Sequence, residues 1–277
     1  MNDPAPPREP SDREPLDPAR LEPLSSVLRR VAPALVLTWL AVLGTFALPQ
    51  LPRDGAVAEL AYWVSFSGKE LLALVAAAAV ALIVLRPGTS GARRAREGAQ
   101  AFACVLLFVG GGAAVNEFAL KRVLRVPRPY VVELSRSGAL GTTPEGFYEL
   151  GDREARRAHL RAMFAAGRGP ALSPRVREHW ITETGFSFPS GHSFAAFCLL
   201  AFCLLLGEGL PLGVRGRALW LLGPWAVAVC YSRPLLGVHS PTDVSVGAAL
   251  GLVFGAGAAL CARRLGYSVT GSNSAGR

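Results

Sequence analysis

Three short stretches of this chain carry residue types that could act together on a phosphate. The first runs from Lys121 to Pro129 in the pattern K-x6-R-P, ending in Arg128-Pro129. The second is Pro189-Ser190-Gly191-His192, and the third is S-R-x5-H-x3-D, which places Arg233, His239 and Asp243 between Ser232 and Asp243. Singly, each has a plain structural explanation. Basic residues after an apolar run commonly anchor a helix at lipid headgroups. Ser190 is a good helix N-cap after the chain-breaking Pro189, with His192 then an interfacial side chain. Ser240 can cap a last helix, with Pro241 at its first position and Asp243 at N3, where a carboxylate favours the dipole.

Together they imply more. A cap at Ser190 puts Gly191 and His192 in a first helical turn, where free backbone N–H groups and the positive end of the dipole make a seat for an anion. Lys121 and a residue at 128 are separated by about two helical turns and could face the same way, although Pro127 and Pro129 imply that the chain has left the helix by then. Asp243 lies four residues beyond His239, near enough to accept a hydrogen bond from one imidazole nitrogen and fix the lone pair on the other. Two of only four histidines thus face three cations and a capped helix start, a set suited to a phosphate dianion and an in-line displacement.

The elements that must position these groups read as membrane spans. The chain is 51% hydrophobic, and uncharged runs recur along most of it, as expected of one all-α polytopic membrane domain. Six transmembrane helices are expected near residues 31–48, 71–85, 98–116, 193–207, 218–231 and 244–262, with 121–188 a polar, partly helical segment between the third and fourth. The second run is short, so its helix is expected to begin nearer Tyr62 or its flanking Lys69 and Arg86 to snorkel. Residues 1–28 read as a disordered cytoplasmic tail, 29–265 as the membrane domain and 266–277 as a second cytoplasmic tail. Ten arginines flank the N-terminus, the second and fourth connectors and the C-terminus, against three basic residues (Arg53, Lys69 and Arg233) on the other side. The positive-inside rule therefore puts the termini in the cytoplasm and 121–188 outside. The net charge of +9 comes largely from such flanking arginines, with no basic patch interleaved with aromatics to suit nucleic acid. All five cysteines fall in apolar runs and read as small buried hydrophobes.

The three motifs, in this order and on one face, resemble the three-part signature of the type 2 phosphatidic acid phosphatase superfamily, the integral membrane lipid phosphatases. The resemblance covers roughly residues 30–265. It implies that His239 attacks phosphorus with Asp243 orienting it, and that His192 protonates the leaving oxygen and then activates water. It also implies that Lys121, Arg128, Ser190, Gly191 and Arg233 hold the non-bridging oxygens. The expected substrates are lipid phosphates in the inner membrane, phosphatidylglycerophosphate first, with phosphatidate and undecaprenyl pyrophosphate as alternatives. No metal and no cofactor is expected, since the cations supply the neutralisation a metal ion would give and no acidic cluster adjoins them. Glu183 could touch the headgroup or His239, or be a surface carboxylate. Residues 151–167 read as an amphipathic helix that either lies on the bilayer or packs on the neighbouring loops. From another class, a transporter or idle scaffold would have no need for both histidines together with Asp243. Oligomeric state is not legible.

Overall fold

Leu24, Val27, Leu28 and Val31 repeat at helical spacing behind Pro23, and the first helix, α1 (Leu24–Leu43), starts there. The computed structural model describes residues 23–86, 90–208, 210 and 212–265. Helix α1 therefore begins inside the stretch expected to be a tail. Val27 is fully buried, so 24–28 belong to the packed domain, and Arg29 and Arg30 do not mark its edge. Residues 1–22 and 266–277, the rest of the expected tails, lie outside the described residues.

The expected second span is a pair, α2 (Ala56–Ser67) and α3 (Leu72–Val84), bent by 60° at the Gly68–Leu71 break. The third starts at α4 (Gly91–Val105) and runs through a π-helical turn, α5 (Gly111–Val115) and a second π-helical turn into α6 (Lys121–Leu124). The polar segment folds into α7 (Pro129–Arg136), α8 (Pro144–Glu149), α9 (Arg153–Ala165) and α10 (Pro174–Thr182). The chain then returns through α11 (Gly191–Gly207), α12 (Val214–Leu219), α13 (Leu222–Leu235) and α14 (Pro241–Arg264). Among the described residues there is no strand, only an isolated bridge between Arg53 and Leu172.

Among the described residues, three helical stretches are long and apolar enough to cross a membrane: Leu24–Ala47, the run that begins at Gly91, and Pro241–Arg264. The bent pair is a fourth candidate. Leu37, Leu74, Leu106 and Val253 on these helices are each about two-thirds exposed, a disposition suited to hydrocarbon rather than water.

Helix α11 is the axle of the bundle, buried from His192 through Gly207. It lies almost on the backbone of α14, because a Cβ added at Gly247, Gly251 or Gly255 would come within 2.5 Å of the carbonyl oxygens of Ser190, Phe194 or Cys198. Small residues at that spacing let two helices approach closely. The approach sets His192, at the start of α11, beside the start of α14. Gly251→Val is expected to destabilise the detergent-solubilised protein by about 3 kcal/mol. A thermal unfolding midpoint unchanged from the parent would contradict this packing.

The polar segment has its own core under the turn between α13 and α14. Tyr130 stacks on Trp180 with ring centroids 4.7 Å apart, and Phe147, Leu160 and Met163 pack with them against Leu236 and Val238. Of the two expectations for residues 151–167, packing on the neighbouring loops is the one seen: Leu160 and Met163 on α9 are fully buried within this cap.

Candidate active site

Backbone interactions bring the three motifs together before any catalytic side chain is considered. Arg125 ends α6 in a left-handed conformation, and the turn that follows pairs with the chain before α11 through Ser187 N–H donating to the Val126 carbonyl at 2.9 Å. Tyr130 N–H donates to the Gly237 carbonyl at 3.0 Å, and the Trp180 indole donates to the Leu236 carbonyl at 2.7 Å. Ser190 N–H donates to the Asp243 carbonyl at 3.0 Å, joining the start of α11 to that of α14.

The caps are those the sequence implies. Ser190 Oγ accepts from Ser193 N–H at 3.4 Å. Ser240 and Asp243 form a full capping box, with Asp243 Oδ2 accepting from Ser240 N–H at 2.8 Å. The same oxygen lies 3.3 Å from His239 Nδ1. A carboxylate there holds the proton on Nδ1, leaving the Nε2 lone pair on the opposite edge of the ring, where Arg128 stands 3.4 Å away. Burial, reinforced by the Arg128 and Arg233 guanidiniums, pushes the His239 imidazole well below its ordinary range, so it is neutral at neutral pH.

Arg128 is the hub. It is buried and donates through Nε to the Gly185 carbonyl at 2.8 Å, through one terminal nitrogen to the Val238 carbonyl at 3.0 Å, and through the other to Glu183 at 2.7 Å. Glu183 is thus an interior partner, not a surface carboxylate. Burial opposes its charge, but Arg128 and then Arg233 outweigh that and hold it well below the usual carboxylate range.

Lys121, Arg128, Glu183, Gly191, His192 and His239 line one cavity of about 470 Å³. Asp243 and Ser190 stand behind its wall, the first holding His239 and the second capping α11. Arg233 is fully buried; one terminal nitrogen meets Ser65 Oγ and His179 Nε2, while Nε and the other terminal nitrogen have no partner among the described residues. Buried N–H donors without partners are what an incoming phosphate oxygen would satisfy. Six of the nine sequence-predicted site residues thus line the cavity, two of them imidazoles, while Asp243, Ser190 and Arg233 lie outside its lining.

With this geometry in view, the profile of the PAP2 superfamily matches residues 101–267. The chain belongs to the PAP2 superfamily. It is 33% identical over 149 residues to phosphatidylglycerophosphatase B of Escherichia coli K12, covering 53% of this chain and 54% of that protein. It is 35% identical over 136 residues to phosphatidylglycerophosphatase B of Haemophilus influenzae, covering 47% and 53%. A decaprenylphosphoryl-5-phosphoribose phosphatase of Mycobacterium tuberculosis is 42% identical over 85 residues, 30% of this chain and 41% of that protein. The chain spans about half the length of the phosphatidylglycerophosphatases it matches.

The PAP2 site also contains residues that sequence reasoning passed over. Glu117 lines the cavity and takes Lys121 Nζ at 2.9 Å on one oxygen and Arg153 on the other. Its spacing of one helical turn before Lys121 is the signal that could have found it. Asn116 is buried and donates to the Pro189 carbonyl at 3.2 Å, holding the Ser190 turn against the third helical run. His179 backs Arg233 at 3.2 Å; burial, then the Arg233 charge, pushes it down to about 3, so it accepts from the guanidinium as a neutral base.

Proposed function

We propose that this PAP2 protein is a metal-independent integral membrane lipid phosphatase, a phosphoric monoester hydrolase that removes the terminal phosphate of a lipid phosphate through a phosphohistidine at His239. The convergence of the His239–Asp243 pair, His192 and the cations on one cavity carries this reading. In the first step His239 Nε2 bonds to phosphorus as the bond to the lipid oxygen breaks, and protonated His192 gives that oxygen its proton. In the second, His192 takes a proton from water as the water oxygen attacks phosphorus. Inorganic phosphate leaves and His239 returns to its starting state. Lys121, Arg128, Arg233 and the Gly191 amide face the non-bridging oxygens, and the Ser190 hydroxyl supports that turn.

A lipid is the fitting substrate because the cavity continues into an apolar groove of about 230 Å³. The groove shares Lys69, Leu72, Val109 and Gly110 with the cavity and runs on past Phe102 and Leu199. The relatives' names point to phosphatidylglycerophosphate and to decaprenylphosphoryl-5-phosphoribose, lipids of glycerol and of isoprenoid type. Phosphatidylglycerophosphate is the first choice for this chain, and an isoprenoid diphosphate such as undecaprenyl pyrophosphate the second. Six spans, counting α11 and the α12–α13 stretch, with cytoplasmic termini in an inner membrane, would set the site at the outer leaflet.

The test is release of inorganic phosphate by purified protein in detergent micelles from phosphatidylglycerophosphate, phosphatidate and undecaprenyl pyrophosphate, with and without EDTA. Release from at least one lipid, largely retained in EDTA and abolished in His192→Ala, is expected. Release as fast in His192→Ala as in the parent, or a strict need for Mg²⁺, would overturn the mechanism.

A further inference from the structure

The cavity holds more positive charge than one phosphate can use. Lys69, Lys121, Arg128, Arg153 and Arg157 line it against only two carboxylates, Glu117 and Glu183. That is an excess of three charges, of which a terminal phosphate takes up roughly two at neutral pH. The surplus sits on α9, where Arg153 and Arg157 are one helical turn apart.

Both arginines are placed against the cradle. Arg153 bonds the Glu117 carboxylate whose other oxygen holds Lys121. A Cβ added at Gly185 would come within 3.3 Å of its guanidinium, and the carbonyl of that same glycine takes Arg128 Nε at 2.8 Å. The two arginines thus flank one peptide. Arg157 is loosely held. Its terminal nitrogens reach Glu154 and the Thr182 carbonyl only at 3.4 Å, and its Nε is buried with no partner among the described residues. A guanidinium has five N–H donors, so both side chains keep donors free for a ligand.

The geometry points to a second anion subsite, formed by Arg153 and Arg157 beside the terminal-phosphate cradle, that holds a second phosphoryl group of the substrate. Glu117 sets the spacing, since its carboxylate spans Lys121 on the cradle side and Arg153 on the other. The subsite favours lipids with two phosphates, a terminal one and another nearer the tail, over lipids with one. This rests on the phosphatase reading above and gives α9 its purpose: Arg157 and Arg153 lie one and two helical turns before Leu160 on the same face, so the packing of Leu160 and Met163 in the cap carries the two arginines to the cavity.

Steady-state kinetics in mixed micelles of the parent and of Arg153→Gln/Arg157→Gln, on dioleoyl phosphatidylglycerophosphate and dioleoyl phosphatidate, test it. The double variant is expected to raise KM for phosphatidylglycerophosphate about tenfold or more, the size of one lost charge-assisted hydrogen bond, with kcat within about twofold. The phosphatidate KM rises clearly less, since the variant reaches the cradle only through Glu117 and Lys121; a thermal midpoint near the parent's shows that the variant folds, and Arg157→Lys recovers part of the lost preference. Equal changes on both lipids, or no change on either, would overturn the subsite. If the parent hydrolyses neither of these lipids nor undecaprenyl pyrophosphate, the phosphatase reading fails by itself. Binding of the same two lipids in nanodiscs then decides: loss of the two-phosphate preference in the double variant supports the subsite, and an unchanged preference refutes it.

Discussion

His239→Ala is expected to lower kcat for lipid phosphate hydrolysis by about four orders of magnitude or more, as removal of a nucleophile does when water must attack unaided. The fold should survive. The ring makes two polar contacts, to Asp243 at 3.3 Å and Arg128 at 3.4 Å, and both partners keep stronger ones: Asp243 with Ser240 N–H, and Arg128 with two carbonyls and Glu183. The thermal midpoint should therefore move little while activity vanishes. Added imidazole should restore measurable phosphate release, because it can enter the vacated space and accept the phosphoryl group. Phosphate release by His239→Ala within tenfold of the parent would exclude this residue as nucleophile.

Arg128→Ala should lose both stability and activity. Its guanidinium ties the cap to the α13–α14 turn through the Gly185 and Val238 carbonyls, and it neutralises the interior carboxylate of Glu183. Deleting it leaves that carboxylate without its closest cation, a change that in buried pairs destabilises by about 3–5 kcal/mol. Activity should fall by about 10³-fold, since one fixed donor to the transition state is lost and the Glu183 charge then faces the incoming phosphate. Arg128→Lys should not rescue it, because an ammonium cannot serve three acceptors in the plane of a guanidinium fork. Near-parent kcat in Arg128→Lys, measured beside its thermal midpoint, would show that the forked geometry is not needed.

Local chemistry was the part legible in the sequence. The caps at Ser190 and Ser240 and the His239–Asp243 spacing depend on a few neighbouring residues, so propensity and hydrogen-bond reach decide them, and the structure has them as read. The start of α1 and the bend after Ser67 were not legible, since Arg29 and Arg30 mask the apolar repeat through Val27 and since a helix break without proline has no strong local mark. Glu183 could not be assigned a partner because Arg128, 55 residues away, reaches it only after the cap folds. The same holds for His179 behind Arg233 and for Arg153 against Glu117: long-range ion pairs leave no periodic trace in a chain.

The route of the phosphoryl group is most directly tested by the stereochemistry of its transfer from a lipid monoester whose phosphorus is chiral through oxygen isotopes to an acceptor alcohol, with the configuration at phosphorus of the product ester analysed. Two successive in-line displacements, onto His239 Nε2 and then off it, predict net retention. Net inversion would mean that the acceptor attacks the lipid phosphate directly, and His239 would lose the role that the rest of the site is arranged to serve.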